Sequence, residues 1–326
     1  MYPPRFGLFL LPNDVREATT AARRAEDDGY YSVSVNDHFY SPFGGPRTPQ
    51  LECFTVLTAM AMVTRRVKLA PAVVAASFRS PSLLAKCAMT LDHASEGRLI
   101  LGLGAGWQVS EYVAHGYPFP STAQRVEELG EQLQVLKALW TQDEPAFKGK
   151  YFQVANGGNL PKPLQQPGPP IMLGGSAPSI LKLAAEHATV INIIPPTSNG
   201  KDFPNDPVAT VRFTMEVMKK KIAALGDLMR ANGRQPADME LGGLLLLGMS
   251  QRQNDPALVD MAKKLGFPDF ASAQRSPVAL LGTPAEVRDE LARRIADTGV
   301  TYYMMFAATD ESWRLFSKEV LPHFAR

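Results

Sequence analysis

The sequence predicts an α/β protein, a TIM (β/α)8 barrel with insertions at its C-terminal face. Three observations predict it. Short apolar runs alternate with helical patterns from one end of the chain to the other. Eight such strand–helix units fit into 326 residues, about the length this fold needs. Two of the longest irregular stretches, 105–121 and 195–207, follow strands, which is where a barrel builds its active site. A doubly wound parallel sheet is the alternative, but it usually needs fewer strands.

The elements follow in order. Residues 5–11 read as a strand, and Val15, Ala18, Ala22 and Ala25 recur at helical spacing after it. "SVSVND" (32–37) is a second strand and "LECFTVLTAMAMV" (51–63) a second helix. "VKLAPAVVAA" (67–76) is a third strand, followed by helix 80–95, with Ser80 as its cap and Pro81 in its first turn. "RLILGLG" (98–104) is the fourth strand. Its helix comes late, at 122–140, where Val126, Leu129, Leu133, Leu136 and Trp140 share one face. Then come strand 169–175 with helix 178–187, strand 189–194 with helix 208–231, and strand 239–248. Helix 284–298, opening with "GTPAEV", precedes strand 301–307, and a last helix, 310–324, buries Trp313, Phe316 and Val320. A further excursion, 249–281, follows the seventh strand. The whole chain, 1–326, is expected to be one domain with insertions at about 105–121, 195–207 and 249–281.

Composition narrows the function. Formal net charge is +2, with 34 basic and 32 acidic residues spread evenly, so neither nucleic acid nor an anionic membrane surface is an expected partner. "MYPPRFGLFLLPND" lacks the basic region, long apolar core and small-residue cleavage site of a signal peptide, and "LGGLLLLGM" is too short to span a bilayer. Cys53 and Cys87 lack metal-ligand spacing, and the five histidines form no cluster with them. The expectation is a cytoplasmic protein without a metal.

Three short stretches carry candidate chemistry. "LILGLGAGW" (99–107) looks like a dinucleotide loop, but that loop runs straight into a helix, with an acid ending the next strand about 20 residues on. Here the glycines lead into the proline-bearing "QVSEYVAHGYPFPS", and the next strand begins at residue 169. Small residues at a barrel strand end either let a flat cofactor lie on the backbone or relieve crowding inside the barrel. "IMLGGSAPSILKLAAEH" (171–187) is more specific. Gly174, Gly175 and Ser176 join a strand to a helix start, whose N–H groups and dipole suit a phosphate. The alternative is a tight turn capped by Ser176 or Ser179. "VNDHFY" (35–40) places Asn36, Asp37 and His38 at the end of the second strand, either for catalysis or as an Asx-turn with an exposed histidine.

Together, "NDHF" (36–39), "SFRSPSLLAKCAMTLDHASEGRLILGLGAGWQVSEY" (77–112), "RVEELGEQLQVLKALW" (125–140), "PKPLQQPGPPIMLGGSA" (161–177) and "LLGTPAEV" (280–287) resemble the bacterial luciferase-like flavin and deazaflavin oxidoreductases. The "GLGAGW…EY…G" and "PPIMLGG" forms resemble the deazaflavin-dependent branch most. The resemblance implies a TIM barrel, a homodimer, and coenzyme F₄₂₀ or, alternatively, flavin mononucleotide (FMN) at the C-terminal face. It implies catalytic roles for Asp37 and His38 beside the reactive ring. It also implies a non-prolyl cis bond between Ala72 and Val73 behind that ring, cofactor contacts at Ala105 and Gly106, and cofactor-phosphate contacts at Gly174, Gly175 and Ser176. The sugar-phosphate dehydrogenases of the group carry a catalytic glutamate where Trp107 stands, so Trp107 is expected to wall an apolar substrate pocket or to pack in the core.

With coenzyme F₄₂₀ the expected reaction is hydride transfer to or from a small, apolar organic substrate, with His38 moving the balancing proton. With FMN the same barrel would be a monooxygenase using oxygen and reduced flavin from a separate reductase. A non-catalytic ligand-binding barrel is the third reading.

Overall fold

The structure is a computed structural model that describes residues 2–42, 44–155, 157–196 and 206–324. Most of the expected 195–207 insertion, residues 197–205, lies outside the described residues. The described strands are β1 (Arg5–Phe9), β2 (Ser32–Val35), β3 (Lys68–Pro71), β4 (Val74–Ala75), β5 (Leu101–Gly104), β6 (Ala146–Lys148), β7 (Gln153–Ala155), β8 (Ile171–Gly174), β9 (Val190–Asn192), β10 (Glu240–Met249), β11 (Ala279–Gly282) and β12 (Tyr302–Ala307). The chain divides into two compact units.

The first unit comprises Met1–Phe9, Arg24–Val33 and Gly175–Arg326. Its strands are parallel. Arg5 of β1 lies opposite Tyr302 of β12, which lies opposite Gly242 of β10. Glu240 of β10 lies opposite Val190 of β9, and Leu246 opposite Ala279 of β11. Phe6, Gly7, Leu8 and Phe9 are buried in sequence without alternation, as expected of a parallel strand covered on both faces. The Phe6 ring meets Phe316 edge-on at 5.3 Å, and Phe316 and Val320 are fully buried as the sequence predicts. Trp313 is only half-buried, because its indole N–H reaches outward to Asp28 at 2.7 Å.

Three sequence expectations change in this unit. The last helix is not uniform: Asp310–Leu315 passes through a π-helical turn at Phe316–Val320 before Leu321–Phe324. Leu321 N–H bonds to Phe316 O, five residues back, which makes room for the ring of Pro322. Helix 208–231 is two helices, Pro207–Arg212 and Met215–Ala231, because Thr214 leaves the helical conformation to cap the second through Val217 N–H. The excursion 249–281 contains helices Pro256–Lys264 and Phe270–Gln274, and its last residues already belong to β11.

The second unit comprises Leu10–Arg23 and Ser34–Gly174. Strand β8 pairs with β5 (Ile171 opposite Leu101), β5 pairs with β4 (Leu103 opposite Val74), and a bridge from Leu69 to Leu99 joins β3. Helix Pro81–Ala94 starts as predicted, with Ser80 accepting from Leu83 N–H and proline at its first turn. Helix Thr122–Thr141 buries Leu129, Leu133, Leu136 and Trp140 on one face. Arg98 is buried, and its guanidinium donates to the carbonyls of Ala61, Thr64, Val67 and Ser95, which repays its desolvation and ties a helix end to the strand beside it. The antiparallel hairpin β6–β7, with Phe147 opposite Val154, was not expected from the sequence.

Candidate functional site

The candidate residues each follow the C-terminal end of a parallel strand. In the second unit, Asn36, Asp37 and His38 leave β2, Ala72 and Val73 lie between β3 and β4, and Ala105, Gly106 and Trp107 leave β5. Ala72 N–H donates to Val35 O at 2.8 Å, which sets the chain after β3 beside the end of β2.

Asp37 is 5% exposed, and its carboxylate accepts three hydrogen bonds. Arg79 grips it with two nitrogens at 2.7 and 2.9 Å, and Ala75 N–H adds a third bond at 3.1 Å. Arg79 also reaches Glu52 at 2.6 Å, and Glu52 in turn caps helix Cys53–Val63 through Thr55 N–H. Burial pushes the Arg79 guanidinium down, but Asp37 and then Glu52 outweigh it and hold it above its usual value. Burial likewise pushes Glu52 up, while Thr55 N–H and Arg79 hold it lower overall. Held by these three donors, Asp37 braces the loop after β2.

His38 differs. Its Nδ1 lies 2.7 Å from Oε2 of Glu111, whose side chain has no exposed surface. The other oxygen, Oε1, accepts the Phe39 and Tyr40 backbone N–H groups. His38 Nε2 makes no hydrogen bond among the described residues. Trp107, half-buried, stands edge-on to the imidazole with ring centres 5.5 Å apart. The histidine is thus neither the exposed end of an Asx-turn nor packed core. Sequence reasoning missed Glu111. It stands 73 residues away as the glutamate of the "GLGAGW…EY…G" form, which was quoted for the resemblance but not read as a site residue.

The Ala72–Val73 peptide is cis, as the resemblance implied. Val73 explains the glycines around it. A Cβ on Gly104 would stand 2.8 Å from Val73 Cγ2, and one on Gly174 2.9 Å from Val73 Cγ1. A Cβ on Gly102 would fall on the Pro71 carbonyl. Relief of crowding therefore accounts for these three. Gly106 has φ +77°, and a side chain there would strike the Tyr112 hydroxyl, which pairs with Ser77 at 2.7 Å. Burial, partly offset by that Ser77 bond, pushes the Tyr112 phenol up to about 12. The Ala105 carbonyl accepts from Arg125, and both line a small recess of about 10 Å³ with Ser77 and Gln132.

Gly175 and Ser176 belong to the first unit. Gly175 has φ +128°, a region closed to other residues, and its N–H is bonded to Asn192 O at 3.0 Å. The Ser176 hydroxyl donates to Ile194 O at 2.6 Å. The Gly175 N–H and the Ser176 hydroxyl are therefore each bonded within the fold, and neither Ser176 nor Ser179 caps the helix. The open donors come next. Helix Pro178–His187 follows Ala177 as its N-cap, whose methyl offers no hydrogen-bond acceptor, and its first intrahelical bond here is Leu181 N–H to Ala177 O. The N–H groups of Ser179 and Ile180 thus have no intrahelical acceptor. Lys221 Nζ, which burial pushes below its usual value, lies 2.7 Å from Ser176 O.

Among the described residues no group of three or more His, Cys, Asp or Glu could hold a metal ion, and no helix is long and apolar enough to cross a membrane. Cys53 and Cys87 are both free thiols.

Comparison with known proteins places these features in a family. An uncharacterised protein of Mycobacterium tuberculosis strain H37Rv is 35% identical, covering 52% of this chain and 65% of the relative. An F₄₂₀-dependent glucose-6-phosphate dehydrogenase of Amycolatopsis mediterranei is 32% identical, covering 52% and 50%. An FMNH₂-dependent dimethylsulfone monooxygenase of Pseudomonas putida is 30% identical, covering 50% and 44%. The chain thus spans less than two thirds of the length of these curated relatives. A solved F₄₂₀-dependent secondary alcohol dehydrogenase, in complex with an F₄₂₀–acetone adduct, matches all of both chains with a TM-score of 0.82 at 19% identity, which shows the fold. That fold is the TIM barrel, and the doubly wound alternative falls away. Residues 3–203 match the family model described as luciferase-like monooxygenase, so the chain belongs to the luciferase-like family, which has both F₄₂₀-dependent and FMN-dependent members.

Proposed function

We propose that this chain is an oxidoreductase that moves a hydride between coenzyme F₄₂₀ and a small, uncharged organic substrate, with His38 handling the balancing proton. The observation that carries this reading is the imidazole itself. It is held at Nδ1 by a buried carboxylate, unbonded at Nε2, and set beside an aromatic edge. When bound, the deazaflavin supplies a ring carbon that takes or gives a hydride and reacts poorly with oxygen.

The residues present fit such a coenzyme. In the second unit the glycine-ringed Val73 gives a side-chain floor. In the first unit, taken by itself, the uncapped start of helix Pro178–His187, with Lys221 near Ser176, offers donors and positive charge to a phosphate. His38 Nε2 accepts a substrate hydroxyl proton, or returns it in the reverse direction. Trp107, edge-on to the imidazole, limits access to that side of it. An uncharged substrate is supported by the state of the nearby cations. Arg79 is committed to Asp37 and Glu52, and Arg125 to backbone carbonyls, which leaves neither for a substrate phosphate. Trp107 also stands where the sugar-phosphate dehydrogenases carry a glutamate.

A monooxygenase using reduced FMN is the second reading, favoured by the 30% identical FMNH₂-dependent relative. Fluorescence titration with both coenzymes, followed by oxygen-electrode assays with each reduced form, separates the two. Tighter binding of F₄₂₀, with its reduced form consumed without oxygen uptake, is expected. Tighter binding of FMN with substrate-dependent oxygen consumption would overturn the deazaflavin reading.

A further inference from the structure

We propose that Glu111 is a positioning residue that decides which nitrogen of His38 carries the proton. It keeps hydrogen on Nδ1 and leaves Nε2 as the acceptor. This rests on the reading of His38 as the proton-handling group, but its first test is independent of activity.

The two oxygens of Glu111 are not equivalent. Oε1 faces two backbone donors, Phe39 N–H and Tyr40 N–H, which cannot change role. Oε2 faces His38 Nδ1 at 2.7 Å. A buried carboxylate offers only lone pairs, so the short contact at Nδ1 requires a proton on that nitrogen. The neutral ring is then the Nδ1–H tautomer, with its free lone pair on Nε2. No lysine or arginine pairs with Glu111 among the described residues. When a substrate O–H bond breaks and an Nε2–H bond forms, the imidazolium lies directly against a buried anion that stabilises it. The reverse step returns that proton to the substrate oxygen and restores the same tautomer. A carboxylate that orients and charge-balances a histidine in this way contributes strongly to turnover without touching the reacting atoms.

Substitution by glutamine reverses the pattern. The amide oxygen of Glu111→Gln has to face the fixed Phe39 and Tyr40 donors, which turns its NH₂ toward Nδ1. Nδ1 then becomes an acceptor, and the ring proton moves to Nε2. The experiment is ¹⁵N NMR of protein labelled at its histidine ring nitrogens, with His38 assigned by the signals lost in His38→Asn. The unmodified protein is expected to show His38 as the Nδ1–H tautomer, and Glu111→Gln as the Nε2–H tautomer. Turnover of Glu111→Gln is expected to fall about 10²-fold or more, with coenzyme affinity unchanged. An Nε2–H tautomer in the unmodified protein overturns the proposal, even if Glu111→Gln does not fold. So does an Nδ1–H tautomer retained in a folded Glu111→Gln with full turnover. If His38→Ala turns over like the unmodified protein while both spectra come out as expected, the functional reading fails and the tautomer assignment stands.

Discussion

Asp37 and His38 are neighbours at the end of one strand, yet their hydrogen bonding is opposite. Asp37 receives three donors on two oxygens and is locked between Arg79 and Ala75. His38 receives one partner on one nitrogen and keeps the other open. Both are nearly buried, so burial does not separate the brace from the working group. What separates them is whether a polar atom remains unspent once the fold has taken its share. The same test, applied to the turn after β8, finds the Gly175 N–H and the Ser176 hydroxyl bonded within the fold and the N–H groups of Ser179 and Ile180 open at the helix start that follows.

Removing the bracing partner is expected to have the largest effect. Asp37→Ala leaves a buried guanidinium with only Glu52, and a stability loss of about 3 kcal/mol is expected in urea unfolding. Turnover per folded molecule should hold. A large fall in turnover with normal stability would return Asp37 to the chemistry and end the contrast.

The open partner should behave the other way round. His38→Ala is expected to keep its coenzyme affinity while turnover drops about 10²-fold, some 2.7 kcal/mol of transition-state stabilisation, with a smaller loss of stability than Asp37→Ala from the unpaired Glu111 Oε2. Steady-state kinetics beside a denaturation curve checks it. Unchanged turnover would make His38 another brace.

A smaller effect extends the contrast to the first unit. Lys221→Met keeps the side-chain stem but removes the charge near Ser176 O. It is expected to weaken coenzyme binding about tenfold, ~1.4 kcal/mol, by fluorescence titration. Equal affinity would detach Lys221 from the phosphate. Gly175 is a poor probe of the same question, because its φ of +128° makes any side chain a folding defect first.

Much of this was legible in the sequence where the signal is local. The strand–helix alternation, the Ser80–Pro81 helix start and the buried stripe of helix Thr122–Thr141 depend on neighbours a few residues apart. The hairpin β6–β7 was not, since "AFK" and "QVA" are short, mostly exposed and carry no apolar run. β11, only four residues long, was quoted within a motif and not read as a strand. The site was legible by residue type and opaque by partnership. Asp37 and His38 were named, but Arg79 lies 42 residues from one and Glu111 lies 73 from the other. Pairings of that span leave no periodicity to find. Ala72–Val73 came from the family resemblance, because nothing in "APAVVAA" marks a cis bond.

Strand β10 has a consequence of its own. Over ten residues it bonds to β9, β12 and β11 in succession. Its interior amides reach deuterium only through an opening that undoes several neighbouring strands together. Exchange from β10 therefore reports the cooperative unfolding of its unit, whereas exchange from the solitary β6–β7 hairpin reports no more than local fraying.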